Sequence, residues 1–140
     1  MGDKPREQLL EEIKAQIDNE PRSFNMGTWG SRSSRTACGT AACLAGWAVI
    51  CNGATLDYST DHYGWGETNR AIYPDGRRVT IEVEAARLLG IEGQGSYNIF
   101  RQQNSDAISW VEEQIAKNRA RAEAELTPII EAPAKELTDG

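Results

Sequence analysis

Ala41-Ala42-Cys43-Leu44-Ala45-Gly46-Trp47-Ala48-Val49-Ile50-Cys51 is apolar on nearly every side, and an element without a polar face belongs inside a fold rather than on its surface. The run predicts a central buried helix over about 40–52, with Gly53 as its C-terminal stop. Ala42, Ala45, Gly46 and Ala48 carry little side chain, so another segment can lie close against the backbone of that helix. The uncharged stretch around it, from Thr36 to Leu56, is interrupted by Gly39, Gly46 and Gly53. Its apolar centre is half of the roughly 20 residues that a membrane span needs. Membrane association is therefore not expected.

Upstream, Asp3 and Pro5 read as a cap and first-turn proline for a helix whose apolar residues Leu9, Leu10, Ile13 and Ile17 share one face. Pro21 ends it. From Pro21 to Ala37 no periodicity persists, which predicts a loop anchored by Phe24, Met26 and Trp29, with a mobile part at Ser31-Arg32-Ser33-Ser34-Arg35. Downstream, Pro74-Asp75-Gly76 supplies turn chemistry for one β-hairpin over about 70–80. Thr80 can cap a following helix with Glu82 and Glu84 in its first turn, Ala85, Leu88 and Leu89 inward, Gly90 at its end and Ile91 folded back over it. Tyr97, Ile99 and Phe100 read as a short buried element. Asn104 or Ser105 then opens a longer helix through Ile108, Val111 and Ile115.

The expected fold is α+β, mainly α, with four to five helices around the central one. Residues 1–117 form a single compact domain; residues 118–140 form a polar helix extension and a disordered acidic tail, with no fixed structure expected from Thr127 on. A length of 140 residues fits one core, and a mean hydropathy of -0.56 fits a soluble chain. The net charge of -6 argues against general polyanion binding. It accumulates at the ends, since residues 21–104 hold seven acids against eight bases. No basic start followed by an apolar run and a cleavage site appears, and three cysteines are an odd number, so free thiols and a cytoplasmic location are expected.

Cys38, Cys43, Cys51 and His62 invite a zinc site, but Cys43 and Cys51 on one helix stand about 12 Å apart at 1.5 Å per residue. Thiolates on one zinc lie within about 4 Å of each other, so those two cannot share an ion; Cys38, Cys43 and His62 remain compatible, but no C-x-x-C pair supports them, and no metal is expected. No cofactor is expected either, because Gly90-Ile91-Glu92-Gly93-Gln94-Gly95 neither follows a strand nor carries the lysine of a phosphate-binding loop. A nucleophilic site can be drawn from Cys38, placed before the central helix where its dipole favours thiolate, with His62 as base and Asp61 beside it. The carboxylates of Glu112 and Glu113 read as a solvated face.

Arginines on the hairpin, with Tyr73 and with Arg32 and Arg35 near Trp29, can form a local basic and aromatic surface, but arginines on a hairpin are ordinarily solvated, and nucleic acid is not the favoured partner. Protein recognition is favoured instead. Four tryptophans and four tyrosines exceed what a small core requires, and aromatics with arginine are the usual anchors of interfaces. Trp47 and Trp110 are assigned to the core. Trp29, Arg35, Tyr58, Tyr63, Trp65, Tyr73, Arg77 and Arg78 are the candidate binding residues.

The motifs Phe24-Asn25-Met26-Gly27-Thr28-Trp29, Cys38-Gly39-Thr40-Ala41-Ala42-Cys43-Leu44-Ala45-Gly46-Trp47-Ala48 and Ala85-Ala86-Arg87-Leu88-Leu89-Gly90 resemble, in order, those of a family of small bacterial and bacteriophage proteins of uncharacterised activity. The resemblance covers about two-thirds of the chain; the loop from Tyr58 to Asn69 and the charged C-terminal helix lie outside it. It implies a bacterial or phage source and no mechanism. The expected function is a non-enzymatic protein-interaction module, acting on a host protein or defence factor. The alternative is a small cysteine-dependent hydrolase or transferase using Cys38 and His62. The partner's identity and the oligomeric state are left open.

Overall fold

The structure, a computed structural model, describes residues 2–61 and 64–139, with side chains through residue 125. Five helices and two small antiparallel sheets are present among them, which is a mainly-α α+β fold. Helix α1 (Arg6–Asn19) buries Leu9, Leu10, Ile13 and Ile17, the stripe its spacing predicts. Its cap differs from expectation. Pro5 stands at the N-cap position, and Asp3 instead accepts hydrogen bonds from Arg87 and Asn52. A short 3₁₀ turn, Pro21–Ser23, follows.

The loop expected over residues 21–37 contains a strand. β1 (Gly30–Arg32) pairs with β2 (Thr40–Ala42) in the register Gly30 to Ala42, Ser31 to Ala41 and Arg32 to Thr40. Helix α2 accordingly runs only from Leu44 to Cys51, four residues later than expected at its start, because Cys43 holds an extended backbone at the N-cap. An apolar run has no periodicity to separate strand from helix, which is why Thr40–Ala42 was misread. Leu44 through Val49 are all buried, and α2 packs against α1 and α3.

Gly46 has the least room of any glycine described. A Cβ there would sit far inside contact distance of the Trp29 carbonyl oxygen and 2.7 Å from the Ala42 Cβ. Only a residue without a side chain lets the Trp29 backbone reach the helix.

The second sheet places β3 (Thr55–Leu56) beside β4 (Arg70–Ile72), and β4 beside β5 (Arg78–Thr80), so the expected hairpin is present and gains a third strand. Helix α3 (Ile81–Leu89) begins after Thr80, whose backbone holds the N-cap position without a side-chain bond. It ends at Gly90 in the left-handed region, and the Ile91 N–H returns to the Ala86 carbonyl at 2.9 Å. Helix α4 (Gln94–Ile99) corrects one assignment: Phe100 is buried and Ile99 half-buried, but Tyr97 is 54% exposed. Trp47 is buried and donates to the Ser23 carbonyl at 2.8 Å, while Trp110 is half-buried against the core. Helix α5 (Asn104–Asp139) buries Ala107, Val111 and Ile115 and packs on α1. Its backbone stays helical over 127–139, where no fixed structure was expected; alanine, leucine, lysine and glutamate there are good helix formers despite two prolines.

A polar network closes the far side of α2. Glu84, buried on α3, accepts from the Tyr73 hydroxyl at 2.5 Å and from Arg87 at 2.8 and 2.9 Å. Asn52, at the end of α2, donates to the Tyr73 oxygen and to Asp3, and accepts from the Lys4 N–H. The Arg87 guanidinium holds the Glu84 and Asp3 carboxyls below their ordinary ranges, with Tyr73 adding to the effect at Glu84 and Asn52 at Asp3. Burial, with the Glu84 carboxylate against its hydroxyl, pushes Tyr73 up to about 12.

Gly46→Ala should destabilise the fold by about 1–3 kcal/mol and Gly46→Leu should prevent soluble folding; an unchanged melting curve for either would refute the seat assigned to Trp29. Because the folded carboxyl of Glu84 titrates below its ordinary value of 4.5, its contribution is complete above that pH and is lost as pH falls through the lowered folded value. Glu84→Gln should therefore melt well below the parent at neutral pH, with the gap narrowing as pH falls below the ordinary carboxyl range.

Candidate functional site

Trp29 lies between two shallow clefts that meet along Gly27–Trp29. One, about 330 Å³, is lined by Thr60, Asp61, Trp65 and Glu67. The other, about 260 Å³, is lined by Met26, Cys43, Phe100 and Arg101. The Trp29 ring meets Phe100 edge-on, with centroids 6.2 Å apart, and Arg101 spans Trp29 and Tyr97 with its guanidinium 5.6 and 4.0 Å from the two rings. Glu82 fixes Arg101 from α3 at 2.5 Å. Trp65 is 73% exposed, the most exposed large hydrophobic residue described.

Its presentation depends on Asp61, whose carboxylate accepts from the backbone N–H groups of Trp65 at 3.2 Å and Gly66 at 2.7 Å. The two bonds reach four and five residues along the chain, so a short acidic side chain closes the loop where backbone pairing does not. Asp61 thus has a structural task in the loop that carries Trp65. Arg101 and Tyr97, absent from the expected set, complete the face. Their spacing of four residues is the available signal, since a helix that ends just after Tyr97 brings the residue four positions on back over its last turn.

The other expected residues that the structure describes do not join this face. Tyr58 carries the Arg32 guanidinium 3.9 Å above its ring. Tyr73 is buried, a correction with a simple cause: it continues the inward face of β4 set by Ala71, and Glu84 and Asn52 satisfy its hydroxyl. Arg77 and Arg78 are exposed on the hairpin, 3.9 Å from Glu84 and 3.7 Å from Asp57. Arg35 lines a separate, larger cleft. His62 and Tyr63 lie outside the described residues.

Cys38 is exposed in the turn before β2, with its Sγ 3.5 Å from the Thr40 carbonyl and 3.7 Å from Thr36 Oγ1. It does not stand at a helix N-terminus, because β2 intervenes before α2 and Cys43 occupies that position. The thiols of Cys43 and Cys51 are both pushed up to about 11 by desolvation, so neither is a ready nucleophile at neutral pH. Among the described residues, no three of His, Cys, Asp and Glu come together as metal ligands, and no helix is long and apolar enough to cross a membrane.

No protein-family model, curated protein or solved structure matches the chain.

Asp61→Ala should speed hydrogen exchange at the Trp65 and Gly66 amides while the amides of α2 keep their protection. Equal exchange in parent and variant would show that something else shapes the loop.

Proposed function

We propose that this chain is a non-enzymatic protein-binding module of bacterial or phage origin, acting in the cytoplasm on a host enzyme or defence factor. The observation that supports it is the face of Trp65, Trp29, Arg101 and Tyr97, in which exposed aromatic rings and a guanidinium held between two of them border shallow clefts. Such side chains lose little conformational freedom on binding and bury large areas, the properties of residues that dominate interface energetics. The source rests on the three motifs and their order.

The hairpin has a lesser part in this reading than the sequence alone suggested. Its Arg77 and Arg78 stand near carboxylates, and a partner would have to compete with those for each guanidinium. A nucleic-acid partner is disfavoured on the same ground and by the net charge of -6.

Affinity capture from host lysate should yield one stoichiometric partner, and Trp65→Ala and Arg101→Ala should each weaken its binding by about 2 kcal/mol. Arg77→Ala with Arg78→Ala should leave it bound. Retention of the partner by both aromatic-face variants, with melting temperatures unchanged, would overturn the proposal.

A further inference from the structure

A further cleft shares no lining residue with the aromatic face. It measures about 780 Å³. Its walls come from the 3₁₀ turn (Arg22), the segment after it (Asn25), the first sheet with its turn (Ser31, Ser33, Arg35) and the start of α5 (Asn104). Phe24 and Ala41, both buried, contribute apolar floor. No carboxylate lines it. In a chain of net charge -6, that makes it a concentrated positive site.

Among the described residues, arginine ion pairs are made by Arg77, Arg78, Arg87, Arg101 and Arg119. Arg22 and Arg35, exposed and lining this cleft, are in none of them. Arg32 also lines the wall, with its guanidinium committed to the Tyr58 ring. Glu20, next to Pro21, is directed to the backbone N–H groups of Ala37 and Cys38, and so helps hold the turn between β1 and β2.

The polar groups between the two arginines are partly engaged and partly available. Asn104 is occupied in fixing the cleft wall: its Oδ1 accepts from the Met26 N–H at 2.8 Å and its Nδ2 donates to the Phe24 carbonyl at 3.2 Å. Ser31 donates to the Ala41 carbonyl. Ser33 accepts from the Arg35 N–H at 3.2 Å, which leaves its hydroxyl proton to donate. Asn25 accepts from the Gly27 N–H through Oδ1, which leaves its Nδ2 to donate. The site therefore offers two guanidinium forks from different segments, one hydroxyl and one amide, all donors.

We infer that this cleft binds a small phosphoryl-bearing ligand, with Arg22 and Arg35 as the anion clamps and Ser33 and Asn25 as accessory donors. A carboxylate is filled by one planar bidentate fork, whereas the tetrahedral oxygens of a phosphoryl group accept from forks arriving along different directions. A volume of this size suits a small molecule. A nucleic-acid strand fits less well, because no exposed aromatic side chain lines the cleft to stack a base.

Calorimetric titration of the full chain with inorganic tripolyphosphate and with a nucleoside triphosphate, at physiological ionic strength, tests this. Saturable one-to-one binding is expected, weakened by about tenfold or more in Arg22→Ala with Arg35→Ala and unchanged in Arg77→Ala with Arg78→Ala. Arg22→Lys with Arg35→Lys should retain only part of the affinity, since lysine keeps the charge without the fork. Tighter binding of the nucleoside triphosphate would place the base in the cleft as well, and equal binding would assign recognition to the phosphates alone. No saturable binding of either, equal binding of citrate, tighter binding of a single-stranded oligonucleotide, or an affinity unmoved by the double alanine variant with its melting temperature intact would each overturn the proposal.

Discussion

The approach of the Trp29 carbonyl to Gly46 is the constraint on which the remaining geometry depends. It brings the segment Asn25–Trp29 against the start of α2, where the first N–H groups of a helix need partners from outside it. The Cys43 N–H reaches the Thr28 carbonyl at 3.0 Å, and the Leu44 N–H lies 3.3 Å from the Met26 sulfur. The Asn25 N–H pairs with the Ala42 carbonyl. One segment without regular structure thus supplies partners at the entry to α2. In doing so it fixes the Trp29 ring between the two clefts that meet there.

The opposite end of α2 is held by polar rather than apolar contacts. Burying a carboxylate is costly unless its oxygens are occupied, and both oxygens of Glu84 are. Through Tyr73, Arg87, Asn52 and Asp3 the same cluster ties the hairpin, α3, the end of α2 and the approach to α1. Such a network adds less to stability than its number of bonds suggests, because Arg87 is half exposed and its charges are screened. What it adds is geometry: each member is oriented by two others.

Much of this architecture was legible in the residues. The stripe of α1, the turn at Pro74-Asp75-Gly76, the stop at Gly90 with Ile91 folded over it, and the small-residue seat at Gly46 all follow from local rules that the fold obeys. Some differences concern residues whose environment comes from distant segments. Thr40–Ala42 is a strand only because Gly30–Arg32 pairs with it. Glu84 and Tyr73 are buried only because each finds the other. Of the candidate binding residues, Trp29 and Trp65 fall together, while Tyr97 on α4 and Arg101 in the turn after it join them from outside the aromatic loops. That Arg22 and Arg35 make no ion pair among the described residues is likewise invisible until the carboxylates have positions.

The packing of α1 on α5 joins the two extremes of the described chain, with Arg6 donating to Gln114 at 2.9 Å and Arg119 to Glu11 at the same distance. During synthesis the first helix therefore emerges long before its last covering element. Leu9, Leu10, Ile13 and Ile17 find partial shelter when α2 and α3 arrive, but the stripe is not fully roofed until Val111 and Ile115 have left the ribosome. A nascent chain in this interval presents apolar surface to chaperones and proteases, so the pace of translation past α3 sets how long the unfinished protein is exposed to them.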